Sequence, residues 1–147
     1  MNLTENTISI LEEFRKTLHK YPELSEQEYM TQERIMEFLK DHTQAIVKKA
    51  GKTGLIAVFD SGVPGPVIML RADIDALPIQ ETNDFVHKSE NNGVSHKCGH
   101  DGHTAIMAGV AMMLSAEPIN SGRVILLFQP AEENGAGAAA VLKEGIL

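Results

Sequence analysis

Two unbroken apolar runs constrain this chain most. They are Val67-Ile68-Met69-Leu70 and Val124-Ile125-Leu126-Leu127-Phe128. Runs without polar alternation suit strands of a sheet covered on both faces, the arrangement of α/β proteins. Each run also leads into acidic residues: Asp73 and Asp75 after the first, Glu132 and Glu133 after the second. In open α/β sheets, ligands bind beyond the carboxyl ends of strands. The two runs therefore predict both a fold class and a place to look for chemistry.

The rest of the chain fills in around them. Thr4 is a candidate helix cap, and Ile8, Leu11, Phe14 and Leu18 recur at helical spacing until Tyr21-Pro22 interrupts. Ser25 and Glu28 form a capping-box pattern for a second helix to about Lys40, with Tyr29, Ile35, Phe38 and Leu39 on its buried face. Residues 45–49 and 55–59 read as strands with a glycine turn between them. Residues 73–98 read as a long loop, a length usually reserved for function. Helical spacing returns after Asp101, through Ile106, Val110, Met113 and Leu114, and residues 135–144 suit a last helix. The predicted order is α-α-β-β-β-loop-α-β-α, with helices packed on a mixed or parallel sheet.

Composition narrows the function classes. At 147 residues the length suits one domain, which should bury roughly 68–70% of its unfolded surface. A net charge of −7 argues against nucleic acid or an anionic membrane as the main partner. No apolar run reaches a membrane span, and the polar, acidic N-terminus lacks the basic start of a signal peptide. One cysteine excludes an internal disulfide framework and fits a reducing compartment. The expectation is a soluble cytoplasmic domain.

Metal chemistry is the leading expectation for the polar clusters. His96, Cys98 and His100 alternate, so an extended segment would turn all three to one face. Thiolate and imidazole are the donors a zinc-like ion prefers. Cys98 and His100 are the principal candidates, with His96 and His103 as orienting groups; Asp101 can alternatively cap the following helix. Cys98 as a nucleophile activated by His100 is a competing reading, although such partners are normally distant in sequence. An extended Glu132-Glu133 pair would point its carboxylates apart, one toward metal and one toward substrate as a general base. Asp73 and Asp75 alternate around Ile74, so both can face the site; exposed-loop or turn roles remain open for all four acids.

Four stretches together resemble a known family: LHKYPELS at 18–25, LRADIDALP at 70–78, CGHDGHT at 98–104 and FQPAEE at 128–133. They look like the M20 metallopeptidases, nearest the amidohydrolases related to hippurate hydrolase, indole-acetyl-amino-acid hydrolase and N-acetyldiaminopimelate deacetylase. The resemblance implies a di-metal, aminopeptidase-like catalytic domain that cleaves the amide bond of N-acyl amino acids. It implies two divalent ions, manganese or zinc, with cobalt also acceptable. Cys98, His100 and Glu133 would be metal ligands, and Glu132 the general base for metal-activated water. Asp73 or Asp75 would assist.

The resemblance also makes the length a matter of interest. Family members are more than twice as long, with a smaller lid and dimerisation domain and two further histidine ligands after the Glu-Glu motif. Here no histidine follows Glu133. Residues 1–147 are thus expected to be the N-terminal portion of the catalytic domain, without the lid. The alternative is a catalytically inactive fragment, serving as an interaction or weak metal-binding module and self-associating through exposed sheet.

Overall fold

The computed structural model describes residues 4–145, so residues 1–3 of the polar N-terminus and residues 146–147 lie outside the described residues. The elements follow the expected order: α1 (Glu5–Lys20), α2 (Tyr29–His42), β1 (Ile46–Ala50), β2 (Gly54–Asp60), β3 (Val67–Asp73), α3 (His100–Ala116), β4 (Arg123–Gln129) and α4 (Gly137–Lys143). The strands form one mixed sheet in the order β1-β2-β4-β3, antiparallel except for the parallel β3–β4 pair. Because β3 and β4 run parallel, their C-terminal ends lie together, with Asp73 opposite Gln129. The acidic clusters that follow them start from the same sheet margin. Among the described residues no helix is long and apolar enough to cross a membrane.

The sheet is covered unequally. On one face Leu55, Ala57, Phe59, Ala72, Leu126 and Phe128 pack with Phe14 and Leu18 of α1, Ile35, Phe38 and Leu39 of α2, and the small residues of α3. On the other face Ile56, Ile125 and Leu127 pack with Val141 of α4. β4 matches its expected burial, with Leu126 and Phe128 fully enclosed. β3 does not. Val67, Ile68, Met69 and Leu70 are 40–63% exposed, because β3 is an edge strand with β4 as its one neighbour among the described residues.

Three local expectations are overturned by tertiary packing. Thr4 does cap α1, accepting from the Thr7 N–H, but the Ser25–Glu28 capping box is not formed. Ser25 Oγ instead donates to Asp75, and the Glu28 carboxyl turns inward to Thr53 and Ala131. Tyr29 is half exposed, its ring beneath the Lys52 ammonium, rather than buried. On α3 the buried face is Ala105, Met107, Ala108 and Ala111, whereas Ile106 is 69% exposed. Close approach to α1 favours small residues there: a Cβ on Gly109 would sit 3.0 Å from Leu11 Cδ1.

The long loop between β3 and α3 is held by a buried acid. Bridges Leu24–Ala76 and Leu77–Ser95 anchor its ends. Glu81, 7% exposed, accepts from Lys97 Nζ, the Ser89 N–H and Asn83 Nδ2, and lies 3.2 Å from His19 Nε2. Burial alone would raise its pKa, but the Lys97, Ser89 and His19 contacts outweigh it and hold the group down to about 2 from 4.5. A folded-state pKa below the unfolded one stabilises above the unfolded value and loses that stability as pH falls through the folded one. Urea unfolding between pH 4.5 and 2 should therefore show a loss on the order of 3 kcal/mol from this group. Glu81→Gln is expected to remove that acid dependence while lowering stability at neutral pH; an unchanged acid limb in the variant would contradict the assignment.

Candidate metal centre

The two acidic clusters and the Cys98–His100 segment meet where β3 and β4 end. Cys98 precedes α3 and His100 is its first residue, reached through Gly99 at φ 89°. The Glu pair follows β4 through Pro130 and Ala131, which sits at φ 50°, a left-handed conformation unusual for a residue with a side chain. The segment is therefore a turn, not an extended strand. This reverses the expectation that Glu132 and Glu133 point apart. Both carboxylates approach the same nitrogen, with Glu132 Oε2 3.9 Å and Glu133 Oε1 4.0 Å from His100 Nε2.

Donor atoms cluster in two overlapping groups. Atoms of Cys98, His100 and Glu133 lie within 4.8 Å of one another, as do atoms of Asp73, His100 and Glu132. The set combines thiol, imidazole and carboxylates, the donors that suit zinc, manganese or cobalt. His100 is oriented from behind. Its Nδ1 lies 3.0 Å from the Asp75 carbonyl oxygen and 3.3 Å from Asp75 Oδ1, so Nε2 is left facing the glutamates. That backing of an imidazole by a carboxylate is the usual support for a metal-ligating histidine. The residues present thus fit a divalent cation.

The electrostatics follow from this pairing. The Asp75 hydrogen bond, followed by Cys98, raises His100 to about 11, with burial opposing. Burial of Asp75 pushes its pKa up, but His100, the Glu133 N–H and the Ser25 hydroxyl outweigh it and leave the group lowered. Asp75 is fully enclosed and accepts from Ser25 Oγ at 2.8 Å and from the Glu133 N–H at 2.9 Å. Asp73 is different: its Oδ1 accepts from Arg71 Nε at 2.9 Å, and Thr104 Oγ1 donates to its backbone carbonyl.

Other sequence candidates lie outside the two donor groups. The segment before α3 is not extended, so His96 does not share the face of Cys98 and His100. It is buried, 6.4 Å from the His19 ring between centroids, and burial lowers its pKa to about 4. His103 is exposed, 5.8 Å from the His100 ring, and belongs to neither donor group. Asp101 does not cap α3. Its Oδ2 accepts from Arg15 Nε at 3.0 Å and lies 2.8 Å from His19 Nδ1, joining α3 to α1. Cys98 donates weakly to the Asp75 carbonyl.

Sequence reasoning misses Ser25 and Glu28 as parts of this arrangement. Their spacing matches a local capping pattern, which hides the long-range role. The available signal is that Ser25 closes the first of the four family-like stretches, with Glu28 three residues on.

Comparison with known proteins supplies the relationship. Residues 69–147 match peptidase family M20/M25/M40. The chain is 46% identical over 134 residues to the N-acetyl-L-cysteine deacetylase of Bacillus subtilis (strain 168), covering 90% of this chain and 32% of that protein. It is 38% identical over 149 residues to the hippurate hydrolase of Campylobacter jejuni, covering 99% of this chain and 39% of that protein. A dinuclear metal-binding M20 peptidase from Bacillus subtilis superposes with TM-score 0.92 at 43% identity, covering 97% of this chain and 40% of the other. The chain thus spans roughly a third of the length of the curated relatives it matches. With its α/β architecture and the donor cluster at the sheet margin, the chain belongs to peptidase family M20/M25/M40.

Proposed function

We propose that this chain carries the first part of the active site of a metal-dependent hydrolase acting on the amide bond of N-acyl amino acids. One observation carries the reading: a thiol, an imidazole and a carboxylate converge within 4.8 Å, with the imidazole fixed from behind by Asp75. Cys98, His100 and Glu133 are assigned as metal ligands, and the family's dinuclear neighbour supports a pair of ions. Manganese, zinc and cobalt all suit these donors. Divalent ions held by Cys98, His100 and Glu133 would supply Lewis acidity to the amide carbonyl and the attacking water.

The protein's own groups do the rest. Glu132, whose side chain is 39% exposed beside His100, takes the proton of the attacking water and delivers it to the departing amine. Asp75 keeps the His100 ring in one orientation and ties it to the backbone of Glu133. Asp73 belongs to the donor group that contains Glu132 and is held back by Arg71. The 147 residues correspond to the N-terminal portion of the catalytic domain, a reading supported by the third of the relatives' length that they span. A cytoplasmic setting accords with the single free cysteine, which ligates only when reduced.

The test is release of free amino acid from N-acetyl and N-benzoyl amino acids with Mn2+ or Zn2+ added. Metal-dependent turnover abolished by a chelator is the expected result. A second reading rests on a specific feature: both donor groups use His100, so the described residues furnish one three-donor set at a time. In that reading the chain binds a single ion weakly and turns nothing over. Metal uptake without hydrolysis of any of these substrates would favour it.

A further inference from the structure

The turn that brings Glu132 and Glu133 together has local bonds, Gly135 N–H to the Glu132 carbonyl and Gly137 N–H to the Ala131 carbonyl, but these leave the Ala131 and Glu133 amides to partners elsewhere in the chain. Ala131 adopts φ 50°, a conformation that a residue with a Cβ keeps only when its surroundings impose it. The partner of its amide lies more than 100 positions earlier. Glu28, fully enclosed where α2 begins, accepts the Ala131 N–H at Oε1 over 2.7 Å. Its other oxygen accepts from Thr53 Oγ1, itself fully buried. A carboxyl buried without bonds is costly, so it persists here because both oxygens are engaged. Two residues along, the Glu133 N–H is held by Asp75 Oδ2. Successive odd-numbered amides, 131 and 133, are thus gripped by two buried carboxyls, with Glu132 between them. The Ala131 carbonyl is occupied as well, accepting from the Gly137 N–H at 3.0 Å.

We propose that Glu28 is a positioning residue for the glutamate pair: its buried carboxyl clamps the Ala131 turn that aims Glu132 and Glu133 at His100. It touches none of the donor atoms and acts only through the backbone. The consequence for metal binding rests on the reading of the site given above. The clamp itself does not, because it concerns the backbone at 131–133.

Two readouts separate these claims in the full chain. One is Co2+ affinity from visible absorption; the other is amide hydrogen exchange at residues 131–133. Glu28→Ala is expected to weaken Co2+ binding about 10–100-fold, the range for losing a supporting partner, and to release protection at 131 and 133. Glu28→Gln retains a carbonyl oxygen for the Ala131 N–H and is expected to restore both. Thr53→Val removes the other partner of the same carboxyl. It is expected to lower thermal stability with Co2+ affinity and exchange at 131–133 unchanged. If Glu28→Ala does not fold, Glu28→Asp, which keeps the acid and gives up the reach, carries the same expectation. Wild-type exchange at 131–133 in the Ala or Asp variant would overturn the clamp. So would a Thr53→Val variant that loses affinity and protection as Glu28→Ala does, since that pattern marks general loosening. Absence of Co2+ uptake by the wild-type chain would overturn the metal reading, while exchange at 131–133 still decides the clamp.

Discussion

Glu132→Gln is expected to lower turnover of an N-acyl amino acid about 10²–10⁴-fold, the usual contribution of a general base. Metal affinity is expected to fall less than in Glu133→Gln, since the carboxamide keeps the size of the side chain while losing its charge and its proton acceptance. The neighbouring change separates the two acids. Glu133→Gln removes a charged donor from the group it forms with Cys98 and His100, so it should cost metal affinity first and activity as a consequence. Distance alone does not assign these roles, because the two carboxylates lie 3.9 and 4.0 Å from the same nitrogen. What distinguishes them is company: Glu133 sits with the thiol, and its amide is tied to Asp75, whereas Glu132 sits with Asp73. Titration calorimetry with Zn2+ or Mn2+ beside an activity assay checks both variants. If Glu132→Gln lost metal and Glu133→Gln lost only turnover, the assignments would have to be exchanged.

Element order is legible in this sequence because punctuation is strong: Tyr21-Pro22, Gly51, the 61–66 turn and Pro130 fall between elements. The residues that converge are legible as well, since Cys98, His100, Glu132 and Glu133 stand in polar clusters next to the ends of predicted elements. Orientation is not legible. Alternation places His96 beside Cys98 only on the premise of an extended chain, and the turn closed by the Gly99 N–H on the His96 carbonyl breaks that premise. The convergence of Glu132 and Glu133 depends on a left-handed alanine whose amide is bonded to Glu28, a partner more than 100 positions away that no local pattern reveals. The exposure of Val67 through Leu70 is equally hidden. An apolar run reports that a strand suits a covered sheet, not how many neighbours flank it. On α3, bulk misleads: Ile106 and Met113 carry more apolar surface than Ala105 or Ala108, yet close helix packing buries the small residues.

Gly137→Ala is expected to be the most damaging single methyl in the chain for stability. An ideal Cβ at this buried position falls 1.6 Å from the Pro130 carbonyl oxygen and 2.7 Å from its carbon. Those are backbone atoms, so no rotamer change relieves the overlap. Nor is Pro130 free to retreat. Its ring lies against Gly54, where an added Cβ would come within 2.4 Å of Cδ, and near Gly51, where the corresponding distance to Cγ is 3.5 Å. Overpacking commonly costs about 1–3 kcal/mol and more where the backbone must move, so about 3 kcal/mol is expected here. For a chain of this length that corresponds to a melting temperature lower by about 6–12 °C. The effect should reach the metal centre, because Pro130 leads directly into the Ala131 turn and the Gly137 N–H holds the Ala131 carbonyl. Co2+ affinity is therefore expected to fall alongside stability. Gly62→Ala is the matched control: its φ of 73° makes alanine unfavourable, but nothing lies within 4 Å of the added Cβ. It should lose only about 1 kcal/mol and bind Co2+ as wild type does. A Gly137→Ala protein that melts with the wild type would mean that Pro130 yields without resistance, and that the wedge does not hold the glutamate turn in place.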